Sequence, residues 1–172
     1  MDTWKLAAQI AQRIHTGHVR LNTRIPYFQH CGNVATDMKK WFRIPEQVTA
    51  AYLHDVFNYT TMDRDDLYDL IPDPVAIDLI EWMTLPFPSP ENDDEHQENL
   101  RFFSEAPSTA QHILCCDIKD NVLFTSKHNK ELLPVVVQRG KDMLRQMTIK
   151  ESNPHHRARR MIWRKTTDRP GY

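Results

Sequence analysis

The stretch "AAYLHDVFNYTT", residues 50–61, ends an apolar run on the adjacent pair His54 and Asp55. An imidazole beside a carboxylate offers nitrogen and oxygen donors to a divalent ion, but such a pair also falls at helix ends by accident. With nine histidines in 172 residues, chance supplies about one His-Asp dipeptide, so the pair has meaning only through its neighbours. Pro45 suits a first helical position, and Val48, Ala51 and Tyr52 follow on or near one side. The spacing predicts a helix that delivers His54 and Asp55 at its C-terminal end, within reach of solvent.

The flanking sequence repeats helical spacing. Leu6, Ile10 and Ile14 lie four apart in a segment that should end near Gly17. Tyr27, His30, Val34, Met38 and Trp41 follow Pro26 at intervals of three and four, which turns His30 inward. Asp63 with Asp66, Asp73 with Pro74, and Ser108 with Gln111 are start signals for further helices. A helix is also expected over 95–105, and another over 130–148 around Pro134. The three prolines of "LPFPSPENDD" (85–94) mark a loop suited to rim a site. With four glycines and few alternating β-branched runs, neither hairpins nor phosphate-cradling Gly-rich loops are expected, and the expected class is all-α.

Composition narrows the partners. Lys and Arg total 22 against 23 Asp and Glu, so a net charge of −1 gives no global reason to bind nucleic acid or an anionic membrane. Any anion must be held locally. Residues 1–148 read as one helical domain and 149–172 as a basic tail. "RRMIWRK", with Trp163 among its cations, is the one segment that keeps nucleic-acid binding open. His155-His156 is a metal-attracting pair without a third partner in sequence. The N-terminal stretch lacks a signal peptide's apolar core, and no run reaches membrane-spanning length. Cys31, Cys115 and Cys116 suit core packing better than a disulfide framework. These features together lead us to expect a cytoplasmic protein.

Four candidate ligands lie at or within the expected helices: His30, His54, Asp55 and Asp117, the last set in the largely apolar "TAQHILCCDIKDNVLF". A buried carboxylate without a partner costs several kcal/mol, and a cation would supply that partner. Two imidazoles and two carboxylates suit Mn²⁺, Fe²⁺ or Zn²⁺.

Four segments in order, "AQRIHTGHVR" (11–20), "IPYFQHCGNVA" (25–35), "AAYLHDVFNYT" (50–60) and "ILCCDIKDN" (113–121), resemble the motif series of the HD-domain metal-dependent phosphohydrolases. The likeness is greatest to the hydrolase domain of the RelA/SpoT family and its stand-alone alarmone hydrolases. It covers roughly residues 5–125 and implies an all-α HD-domain helical bundle. It further implies Mn²⁺ held by His30, His54, Asp55 and Asp117, Arg20 lining the nucleotide site, and Asn121 near the bound nucleoside. The implied activity is removal of the 3′ pyrophosphate from guanosine tetra- or pentaphosphate. The chain departs from the series where an adjacent Glu-Asp pair activates the attacking water, for it carries Asn58-Tyr59. Asn58 can orient a water but cannot accept its proton. Another acid, such as Asp63 or Asp120, or a metal-bound hydroxide would stand in. Cys31 replaces the usual proline after the first ligand histidine, and Leu21 the usual basic residue after the arginine. Two alternatives stand beside this reading: a nucleotidase of the same fold acting on another nucleotide or deoxynucleotide, and a nucleotide-binding regulatory module without turnover.

Overall fold

Among residues 2–85 and 93–167, which the computed structural model describes, the chain forms ten α-helices and no strand. They are α1 (Thr3–Ile14), α2 (Phe28–Trp41), α3 (Pro45–Leu53), α4 (Val56–Tyr59) and α5 (Arg64–Leu70), then α6 (Pro74–Met83), α7 (Asp93–Glu105), α8 (Ser108–His128), α9 (Leu133–Gln146) and α10 (Asn153–Thr167). The all-α expectation holds. The central helix is α8, which packs on α2, α6, α9 and α10, while α3 packs on α1, α2 and α6. Their inner faces supply one continuous core, from Ala7 and Ile10 through Met38, Leu53 and Ile80 to Ile113, Val122 and Ile162. No helix among the described residues is long and apolar enough to cross a membrane.

Local chemistry sets most helix starts. Asp63 accepts from the Asp66 amide at 2.9 Å while Asp66 accepts from the Asp63 amide at 3.2 Å, a reciprocal capping box. Asp73 accepts from the Ala76 amide at 3.0 Å, with Pro74 in the first turn. Pro45 and Pro134 likewise stand in the first turns of α3 and α9. Gly17, just beyond α1, has φ +82°, the left-handed conformation that glycine adopts without steric cost.

Three expectations meet a different arrangement. Pro26 does not open α2: it pairs with Val19 in an isolated antiparallel bridge, and the helix begins at Phe28. Ser108 and Gln111 form no capping box, because Pro107 is the N-cap and the Gln111 side chain is drawn into the core. There its amide donates to Ala106 O at 2.9 Å and accepts from the Thr148 amide at 2.9 Å, tying α8 to the chain after α9. The segment read as a basic tail has a packed face, with His155, Ala158 and Ile162 of α10 buried against α8 and α9. Alanine and isoleucine four apart give that segment enough apolar surface to dock. The expected loop at 85–94 lies outside the described residues except for Leu85 and for Asp93 and Asp94, which open α7.

Candidate metal centre

The end of α3, the first turn of α2 and the middle of α8 converge. One ligand atom each from His30, His54 and Asp117 lie within 4.8 Å of one another. His30 Nε2 stands 3.0 Å from Asp117 Oδ1 and 3.6 Å from Asp55 Oδ2, and His54 Nε2 stands 3.1 Å from Asp55 Oδ2. The four residues proposed as ligands from sequence are thus brought together. Both imidazoles are 1 % exposed, at the base of the site. The pair sits at the junction of two helices, since His54 closes α3 and Asp55 stands at the N-cap of α4.

The two rings are held by their Nδ1 atoms. His54 Nδ1 donates to Ala51 O at 2.9 Å, which turns Nε2 to Asp55 Oδ2 at 3.1 Å. Against the effect of burial that carboxylate raises the ring's pKa above its ordinary value, yet the buried Nε2 makes no hydrogen bond. An orphaned ring nitrogen there, facing carboxylates, is the environment a cation completes in place of a proton. His30 Nδ1 lies 2.8 Å from Asp120 Oδ2, the carboxylate–histidine pairing that orients a ligating ring. Asp120 is itself braced by Arg20 Nη1 at 2.5 Å and by Asn33 Nδ2 at 2.8 Å.

Electrostatics follow from these contacts. Burial opposes a proton on His30, but hydrogen bonds with Asp117, Asp120 and Asp55 outweigh it and hold the ring's pKa well above its ordinary value. Burial alone would raise Asp55, yet His54 and His30 beside it keep the carboxyl well below the usual range. Asp55 therefore stays an anion, suited to ligate and unsuited to collect protons.

Arg20 and Asn121, expected at the substrate, have partners within the protein. The Arg20 guanidinium is 6 % exposed, donates to Asp120 and to Asn121 Oδ1 (2.7 Å), and lies 3.6 Å from the centre of the Phe124 ring. Asn121 Nδ2 in turn donates to Asp117 Oδ1 at 2.6 Å. Both thus brace the carboxylates. Asn58 Nδ2 donates to Asp55 Oδ1 at 3.3 Å, and its Oδ1 accepts from the Leu85 amide at 3.2 Å, so this side chain ties the His-Asp turn to the end of α6. Of the two stand-in acids, Asp63 is occupied as a helix cap and Asp120 as the support of His30.

Three supports of the site were not expected from sequence: Asn33, Tyr27, which reads there only as an inward-facing helix residue, and Asp120, which reads only as a stand-in base. The Tyr27 hydroxyl donates to Asp55 Oδ2 at 2.6 Å, and burial, with Asp55 beside it, keeps that hydroxyl protonated. Their signal was spacing: Tyr27, His30 and Asn33 are three apart, as are Asp117 and Asp120, so each set shares a helix face. The thiols take no part. Burial pushes the pKa of Cys31, Cys115 and Cys116 above the ordinary range, as for inert core cysteines.

No protein-family model matches the chain, and no curated protein matches it in sequence. Among solved structures its fold matches a metazoan ortholog of SpoT that hydrolyzes ppGpp and plays a role in starvation responses. The match has a TM-score of 0.83 at 18 % sequence identity and covers 96 % of each chain. The chain therefore shares the all-α fold of that SpoT ortholog, in keeping with the helical bundle that its four ordered motifs imply.

Proposed function

We propose that this protein is a divalent-metal-dependent phosphohydrolase acting on a small phosphorylated nucleotide, with guanosine 3′,5′-bis(diphosphate) the first substrate to test. The observation that carries the reading is the orphaned, buried His54 Nε2 facing His30, Asp55 and Asp117. Those four residues would hold the ion, and a nitrogen-and-oxygen donor set with no sulfur fits Mn²⁺, Fe²⁺ or Zn²⁺, of which Mn²⁺ is our first choice. When bound, such an ion polarises a phosphoryl oxygen and lowers the pKa of a water molecule. The chain's own residues do the positioning. Asp120 and Ala51 O aim the two imidazoles, Tyr27 and Asn58 fix the Asp55 carboxylate, and Arg20 and Asn121 hold Asp120 and Asp117. Three buried free thiols accord with a cytoplasmic setting.

A second reading, a nucleotide-binding module without turnover, draws support from Asn58. It stands where a water-activating acid is expected, and its amide is engaged with Asp55 and Leu85. One experiment separates the two. Protein stripped and reloaded with Mn²⁺ is incubated with guanosine tetraphosphate and a panel of nucleotides, and the products are resolved by chromatography. Pyrophosphate or phosphate release that disappears in Asp55→Ala supports the hydrolase. Nucleotide binding without product over hours, with Mn²⁺ uptake abolished in His54→Ala, supports the binding module.

A further inference from the structure

Away from the metal centre, α9, α10 and the turn between them line an open cavity of about 810 Å³. Lys141, Arg145 and Lys150 form one side, and Arg159, Arg160 and Arg164 line it from α10. No carboxylate lines it among the described residues. Arg145 has Asp142 at 3.2 Å, whereas Lys141, Lys150, Arg159 and Arg160 pair with no carboxylate among those residues. In a chain of net charge −1, these four cations around one cavity repel one another unless an anion joins them.

Two further features give the anion a shape. Trp163, 68 % exposed, lies on the same wall, three and four residues from its arginines, and presents a ring on which a base can stack. His155, 2 % exposed, lines the cavity, and its Nε2 donates to Leu144 O at 3.0 Å. Its Nδ1 is then a buried acceptor without a partner, which suits a sugar hydroxyl or base amine rather than a phosphate oxygen.

We propose that this cavity is a second ligand site, for a nucleoside polyphosphate. It shares no residue with the metal centre, which is built on α2, α3 and α8. The size falls within the ~300–1,000 Å³ of small-molecule pockets. The cations converge on one cavity, which favours a compact polyanion over an extended nucleic-acid strand.

Calorimetric titration of the Mn²⁺-loaded full chain with GTP, inorganic tripolyphosphate and a single-stranded oligouridylate tests this. GTP is expected to bind more tightly than tripolyphosphate, and more weakly as salt rises. Its affinity should fall about tenfold or more in Arg159→Glu/Arg160→Glu and in the exposed turn variant Lys150→Glu. Trp163→Ala should erase the preference for GTP over tripolyphosphate. Asp117→Ala, which disables the metal centre, should keep this binding. Binding lost in Asp117→Ala, or unchanged in both charge reversals with the helical circular dichroism intact, would overturn the proposal. So would oligouridylate binding about tenfold tighter than GTP, which would make the face a nucleic-acid surface.

Discussion

Asp120 carries more of the candidate metal centre than its place outside the four proposed ligands suggests. One oxygen takes both the His30 ring and the Arg20 guanidinium, and the other takes Asn33. Asp120→Asn keeps the shape but removes the charge that orients His30. Mn²⁺ affinity measured by calorimetry should then fall by about 10–100-fold, and unchanged affinity would mean that packing alone holds the ring. Asp120→Leu should instead destabilise the fold by about 3–5 kcal/mol in urea unfolding, because it leaves a buried arginine uncompensated. A second side chain governs acid lability. Burial pushes His15 from 6.5 down to about 4. The unfolded chain therefore binds the extra proton between those values, and the stability His15 contributes is full above pH 6.5 and lost as pH falls towards 4. The expected loss is about 2–3 kcal/mol. Thermal midpoints across that window should be flatter in His15→Phe, and an unaltered slope would assign the lability to other groups.

Helices α8, α9 and α10 meet at Gly140. A Cβ there would come within 2.9 Å of Ile118 Cγ2 and 3.0 Å of Ile162 Cδ1, so the glycine permits the close approach that docks α10. Alanine gains about 1 kcal/mol of helix propensity but overpacks by about 1–3 kcal/mol. The Ile118 methyl is branched and stiff, so Gly140→Ala should lower the urea midpoint modestly and Gly140→Val severely. A stabilised alanine variant would show that α10 has slack. Helix starts were legible where the signal is local, as at Asp63, Asp73-Pro74 and Pro45. They were misread where a distant partner intervenes. The same Gln111 that reads as a cap three residues after Ser108 is held by Ala106 O and Thr148. The tail's docking was hidden because its cations outnumber the apolar residues that face α8 and α9, and composition weighs both alike.

The four proposed ligands come from separate parts of the chain, and the order of four short motifs is what pointed to them. It did not reveal their supports. The Arg20–Asp120 contact spans 100 residues and the His30–Asp120 contact 90, and no spacing rule reports such pairs. Consequently Arg20 and Asn121 read as substrate contacts although their polar ends meet protein carboxylates. The assembled centre joins α2, α3 and α8, elements that pack on one another through the core, so a cation bound there should stabilise them together. An ion that binds only the folded state adds about 2.7 kcal/mol at a hundredfold excess over its dissociation constant. For a chain of this length that is a rise of about 5–10 °C in Tm. Scanning fluorimetry should show that rise on adding Mn²⁺ to metal-stripped protein and its reversal by chelator. His54→Ala should abolish it, since Nε2 is the buried atom left without a hydrogen bond. A full shift in His54→Ala, lost instead in His155→Ala/His156→Ala, would move the ion to the far end of the bundle and take the hydrolase reading with it.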